Sequence, residues 1–237
     1  MRINTTLVVN PKGGSGKTTI AINLASCFAA DNIPTTLMDY DPQGSSLAWV
    51  HSRPRRAATI YGANGAPQKF GRLRSLDMYV PPETRQLIVD APAGTAGLLL
   101  HELLERSHYV LVPVIPSVID IRATEAFIKD LHAVSRVRTG DLRLGIVANK
   151  VRVSMPAYQP FLHFLRSLEV QVVARVLDSD IYLKSVETGL GIFELDPGMT
   201  AAERRQFTPI GEWVRGEQPV QIDVGGPEPA QIRRVAF

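Results

Sequence analysis

Residues Asn10 to Thr19 read N-P-K-G-G-S-G-K-T-T and follow the apolar run Thr6-Leu7-Val8-Val9 without a break. A strand that runs straight into a glycine loop and then a helical pattern is compatible with few folds. Gly13, Gly14 and Gly16 let the backbone turn tightly, so that successive N–H groups point inward, and the helix that begins near Lys17 adds the positive end of its dipole. Such a cradle binds phosphate. With Lys17 placed to reach the β- and γ-phosphates and the Thr18 hydroxyl available to Mg²⁺, the segment predicts a nucleoside triphosphate site.

The common spacing G-x-x-x-x-G-K-[ST] would put glycine at position 11, where this chain has Pro11 followed by a second lysine, Lys12. The string K-G-G-S-G-K-T-T resembles the deviant Walker A motif of the ParA/MinD family of ATPases. In that family the additional lysine crosses a dimer interface to the partner's nucleotide, and the resemblance assigns this role to Lys12. It also implies ATP contacts from Gly13, Gly14, Ser15, Gly16, Lys17, Thr18 and Thr19.

Hydrolysis needs more than a loop, so carboxylates are expected at the carboxyl ends of later strands, where the crevice of an open α/β sheet lies. Two segments supply them. Thr35 to Ser45 is a short apolar strand that ends in Asp39 and Asp41 and a Pro/Gly turn. It is similar to the family's D-x-D-P-Q-G segment, which implies that Asp41 orients the attacking water and that Asp39 lies near the metal's hydration shell. Gln86 to Asp90 has the Walker B form, and Asp90 is the expected Mg²⁺ carboxylate. Pro92 to Gly94 is the expected switch loop. A further apolar strand, 142–148, ends in Asn149, which is either an adenine contact, as in family members, or a turn asparagine.

Apolar strand-like runs near 4–10, 35–39, 86–90, 109–114, 142–148 and 171–176 alternate with helical patterns near 17–30, 44–52, 96–106, 120–137, 157–168 and 201–214. That alternation predicts an α/β fold, a mostly parallel twisted sheet with helices on both faces. Residues 53–82 read as loops with one weak strand. One ATPase domain is expected over 1–215. From 216 to 237 prolines and glycines break any helix, predicting an extended or disordered tail. Gln231 to Phe237 is too short and irregular for the amphipathic membrane-targeting helix of MinD-like proteins.

Hydrophobic residues make up 45% and charged residues 21% of the 237, which places the chain among globular proteins rather than disordered or fibrous ones. Without a membrane-length apolar run or a signal-peptide pattern at the start, the expected location is the cytoplasm. Cys27 is the sole cysteine and reads as a small buried residue of the first helix. It also separates the chain from nitrogenase iron-protein relatives, which share the loop but bridge a cluster with paired cysteines. The histidines at 51, 101, 108, 132 and 163 lack metal-ligand spacing.

Net charge is only +3, yet 20 of the 26 basic residues are arginines, several of them adjacent. Such clusters read as solvated basic faces or as phosphate contacts. Small ParA-type ATPases bind nonspecific DNA through basic residues toward the C-terminal part, and on that resemblance Arg204, Arg205, Arg215 and Arg152 are the candidates. The first strand starts near residue 3, leaving no room ahead of it for the operator-binding helix-turn-helix of larger plasmid relatives. The resemblance thus implies a homodimer in the ATP state, nucleoid association, a cargo to segregate or position, and a ParB-like stimulating partner. Two other readings of the same fold are an ATP-dependent biosynthetic enzyme of the dethiobiotin synthetase or cobyrinic acid amidase type, and a MinD-like membrane-cycling regulator.

Overall fold

A computed structural model describes residues 3–66 and 78–217. The strands are β1 (Asn4–Val8), β2 (Thr35–Asp39), β3 (Ile60–Asn64), β4 (Gln86–Asp90), β5 (Tyr109–Val114), β6 (Arg143–Val151) and β7 (Gln171–Leu177). They form one sheet in the order β3-β2-β4-β1-β5-β6-β7, with every adjacent pair parallel. The helices are α1 (Lys17–Ala30), α2 (Ser45–Ser52), α3 (Gly97–Glu105), α4 (Val118–Ala133), α5 (Ser135–Arg138), α6 (Tyr158–Ser167), α7 (Ile181–Thr188) and α8 (Pro197–Val214). The expected mostly parallel α/β architecture is the observed one.

Side chains on a strand alternate between faces, and the core follows that period. Val8, Ile88, Leu111 and Val147 face one layer, where they meet Ile20, Leu24 and Phe28 of α1 together with Phe207, Ile210 and Trp213 of α8. Their neighbours Leu7, Val89, Val110 and Ile146 face the other, against Leu103 of α3, Phe127 and Leu131 of α4, and Phe161 and Leu165 of α6. Because helices cover both faces, the strands read as nearly continuous apolar runs.

The weak strand expected within 53–82 is β3. The helix expected over 120–137 is two: Val134 takes an extended backbone between α4 and α5. Helix α7 was not anticipated. The expected tail lies outside the described residues beyond Glu217. Cys27 is buried as expected, and burial raises its thiol pKa to about 12, with Asp31 adding to the effect.

Candidate functional site

The parallel register brings the functional side chains to one rim. Asp39 at the end of β2 pairs in register with Asp90 at the end of β4, and Asp90 in turn with Val8 at the end of β1, so the loop after β1 opens beside both carboxylates. The segment after Val8 is held from below: the Asn10 side chain donates to the Pro113 carbonyl at 2.8 Å and accepts the Lys12 N–H at 2.9 Å. Gly94 donates its N–H to the Pro11 carbonyl at 2.8 Å, tying the expected switch loop to the phosphate loop.

Gly16 ends the loop at φ 90° and stands at the N-cap of α1, with no side chain capping the helix. The first-turn N–H groups are therefore presented to the cavity instead of to a protein acceptor. A Cβ on Gly16 would sit 2.2 Å from Asn149 Nδ2, so both the backbone angle and the close packing require glycine. A cavity of about 230 Å³ is lined by Gly13, Lys17, Thr18, Thr19, Asp41 and Lys150 among others. A second, of about 260 Å³, adjoins it through Thr19 and Lys150 and extends past Asn149 and Asp178.

Lys17 is buried, and its ammonium donates to the Lys12 carbonyl at 2.9 Å. Burial lowers its pKa, and the nearby Asp90 and Asp41 oppose that shift. The Thr18 hydroxyl donates to Asp90 Oδ2 at 2.8 Å. Asp90 is 1% exposed, and its other oxygen, Oδ1, has no hydrogen-bond partner. Burial raises its pKa to about 7, against the lowering effect of the Thr18 hydrogen bond, and Asp39 pushes it further up. A hydroxyl beside a carboxylate with a buried, unpartnered oxygen fits Mg²⁺, which takes few protein ligands and completes its shell with water and phosphate. Among the described residues no cluster of His, Cys, Asp and Glu offers an all-protein metal cage.

Other expected site residues have local duties. Asp39 accepts the Asp41 N–H on one oxygen and the Leu47 N–H on the other, both at 2.9 Å, so it shapes the turn into α2. Asp41 Oδ1 accepts the Gln43 N–H at 2.9 Å while the residue lines the phosphate cavity. Asn149 is 3% exposed and donates to the Ser15 carbonyl at 2.9 Å, bracing the loop.

The arginines differ among themselves. Arg204 bonds to the carbonyls of Ile192, Phe193 and Leu195 and to the Thr200 hydroxyl, so it latches α8 to the preceding segment. Arg152 pairs with Asp178, and Arg215 with Asp31 and Glu217. Arg205 is exposed. Sequence reasoning passed over Lys150, which lines both cavities. The signal was its place directly after Asn149 at a strand end.

The chain is 26% identical over 205 residues to "Maintenance of carboxysome distribution protein A" of Halothiobacillus neapolitanus, covering 84% of this chain and 91% of that one. It is 46% identical over 93 residues to "Chromosome partitioning protein ParA" of Caulobacter vibrioides, covering 38% and 33%. Among solved structures, the MinD cell division protein of Aquifex aeolicus superposes with a TM-score of 0.68 at 15% identity, covering 91% of this chain and 98% of that one. The apo structure of Cyanthece McdA gives 0.64 at 12% identity, covering 89% of this chain and 100% of that one. The family described as "CobQ/CobB/MinD/ParA nucleotide binding domain" matches residues 6–192, and this chain belongs to that family.

Proposed function

We propose that the protein is an ATPase that dimerises on ATP, binds nonspecific DNA in that state, and uses hydrolysis to segregate or position a cargo. The observation that carries the reading is the convergence of Lys17, Thr18 and Asp41 on one cavity, with Asp90 bonded to Thr18 beneath it. The relatives named for carboxysome distribution and chromosome partitioning support a positioning role. Residues 1–215 form the ATPase domain, with 216–237 as its tail.

Lys17 neutralises phosphate charge and the loop N–H groups hold the phosphates in place. Thr18 and Asp90 would hold Mg²⁺, with Asp39 nearby, and the ion would supply charge neutralisation to the polyphosphate. Asp41 orients the attacking water, and Lys12 reaches the partner's nucleotide. Asn149 contacts the adenine with the part of its carboxamide not bonded to Ser15. Since phosphoryl transfer is catalysed mainly by placement and electrostatics, basal turnover is slow and a ParB-like partner accelerates it. In the cell the ATP dimer resides on the nucleoid, in the cytoplasm.

The test is binding to nonspecific duplex DNA with ATP, with ADP and without nucleotide, for wild type, Lys12→Ala and Asp41→Ala. The expected result is ATP-dependent binding that Lys12→Ala abolishes and Asp41→Ala prolongs. DNA binding in no state, combined with binding to anionic vesicles, would replace this reading with a membrane-cycling one.

A further inference from the structure

Strand β6 carries an irregularity where it passes the phosphate loop. Ala148 pairs with Arg175 and Val151 with Leu177, so β6 uses one residue more than β7 over the same interval. An extra residue of this kind bends a strand and re-aims its side chains, and such bulges recur next to functional sites. Here the bulge holds Asn149 and Lys150. It turns the first onto the Ser15 carbonyl and the second over the loop, with Lys150 Nζ 3.4 Å from the Gly14 carbonyl.

Lys150 adopts φ 50°. The other non-glycine residue at positive φ among the described residues is Asn32, a residue type that tolerates this region. A lysine does not, and an observed backbone outlier of this sort at a cavity wall points to a function that the surrounding fold maintains. The ammonium is exposed, its carbonyl contact is long, and it forms no ion pair among the described residues, so packing gives no reason for it. Composition adds an independent observation. The chain has 20 arginines and six lysines, and three of those six, Lys12, Lys17 and Lys150, stand at this loop.

Thr19 and Lys150 are the residues that line both the phosphate cavity and its neighbour. A nucleotide with its polyphosphate in the first and its nucleoside in the second must pass between them at the α-phosphate. We propose that Lys150 binds the nucleotide held by its own phosphate loop, its ammonium lying against the α-phosphate where the two cavities meet. The inference rests on the nucleotide reading above. A compact cation on a flexible stem suits this position better than arginine, whose planar fork would need a fixed bidentate geometry.

The experiment measures ADP and inorganic tripolyphosphate affinity for wild type, Lys150→Gly and Lys150→Asn, at concentrations where light scattering finds monomers, together with the thermal midpoint of each nucleotide-free chain. Glycine and asparagine both accept the backbone angle, so the fold is kept while the charge is lost. The expected result is a loss of ADP affinity of about tenfold in both variants, a shallower salt dependence, and a nucleotide-free Lys150→Gly that melts no lower than wild type. Tripolyphosphate, which lacks the nucleoside that fixes the α-phosphate at the junction, is expected to lose less. ADP affinity within about twofold of wild type overturns the proposal, as does ADP binding that is unchanged while ATP-dependent dimerisation fails, since the ammonium would then serve the partner's nucleotide. A Lys150→Gly chain that melts lower also overturns it, in favour of a structural role. Failure of wild type to bind ADP would remove the nucleotide reading itself.

Discussion

Asp90 is an unfavourable residue for a protein with nothing bound. Its carboxyl is buried, one oxygen lacks a partner, and its pKa stands at about 7 where an ordinary aspartate has 3.8. Between those values the folded chain holds a proton that the unfolded chain has released. Stability from this group is therefore full below about pH 4, falls as pH rises toward 7, and stays low above it. Asp90→Asn removes the penalty: denaturant titration of the nucleotide-free chain at pH 8 is expected to find the variant about 1–3 kcal/mol more stable, with the difference closing near pH 4. Equal or lower stability at pH 8 would refute this account. The position of Asp90 was legible in the sequence because an apolar run ending in one carboxylate is a local pattern. The double duty of Asp39 and the bracing role of Asn149 were not, because residue type at a strand end does not say which backbone groups stand within 3 Å.

At the scale of elements, α1 is more than a phosphate-binding terminus. Asn23 donates to the Thr19 carbonyl and accepts both the Ser185 hydroxyl and the Ile192 N–H, fixing α1 to α7 and to the segment that follows it. It is fully buried, so truncation strands those donors. Asn23→Ala is expected to cost about 2–3 kcal/mol and to lower the thermal midpoint, with nucleotide restoring part of it; an unchanged midpoint would refute the hub. These contacts also explain which elements the sequence concealed. Helix α7 has Tyr182 and Ser185 as its buried residues and leaves Leu183 and Val186 exposed, so its pattern has no apolar stripe to read. Long strands and α1 announce themselves through continuous apolar composition, whereas the break at Val134 has no glycine or proline to mark it.

Across the whole molecule, charge is the property that sequence describes least well. Arg204 and Arg205 are neighbours in the chain and differ in role: the first is held by carbonyls of residues 192–195, the second is exposed. Arg205→Ala is expected to weaken ATP-dependent binding to nonspecific DNA and to reduce the log–log salt slope by about one, with the melting temperature unaltered. Arg204→Ala is expected to destabilise the fold by about 1–3 kcal/mol. A melting and DNA-binding series on both variants separates the two, and the assignment fails if the effects are reversed. Arg152 and Arg215 already face carboxylates, so their attraction for phosphate is partly neutralised.

The ammonium of Lys17 rests on the Lys12 carbonyl inside the loop that would receive phosphate. A loop propped open from within does not have to assemble around its ligand, and this has a consequence in time. Stopped-flow mixing with a fluorescent ATP analogue should give a single phase whose rate rises linearly with nucleotide, without the plateau that a prior opening step would impose. Lys17→Ala, lacking the prop, should introduce that plateau even at nucleotide concentrations high enough to saturate it.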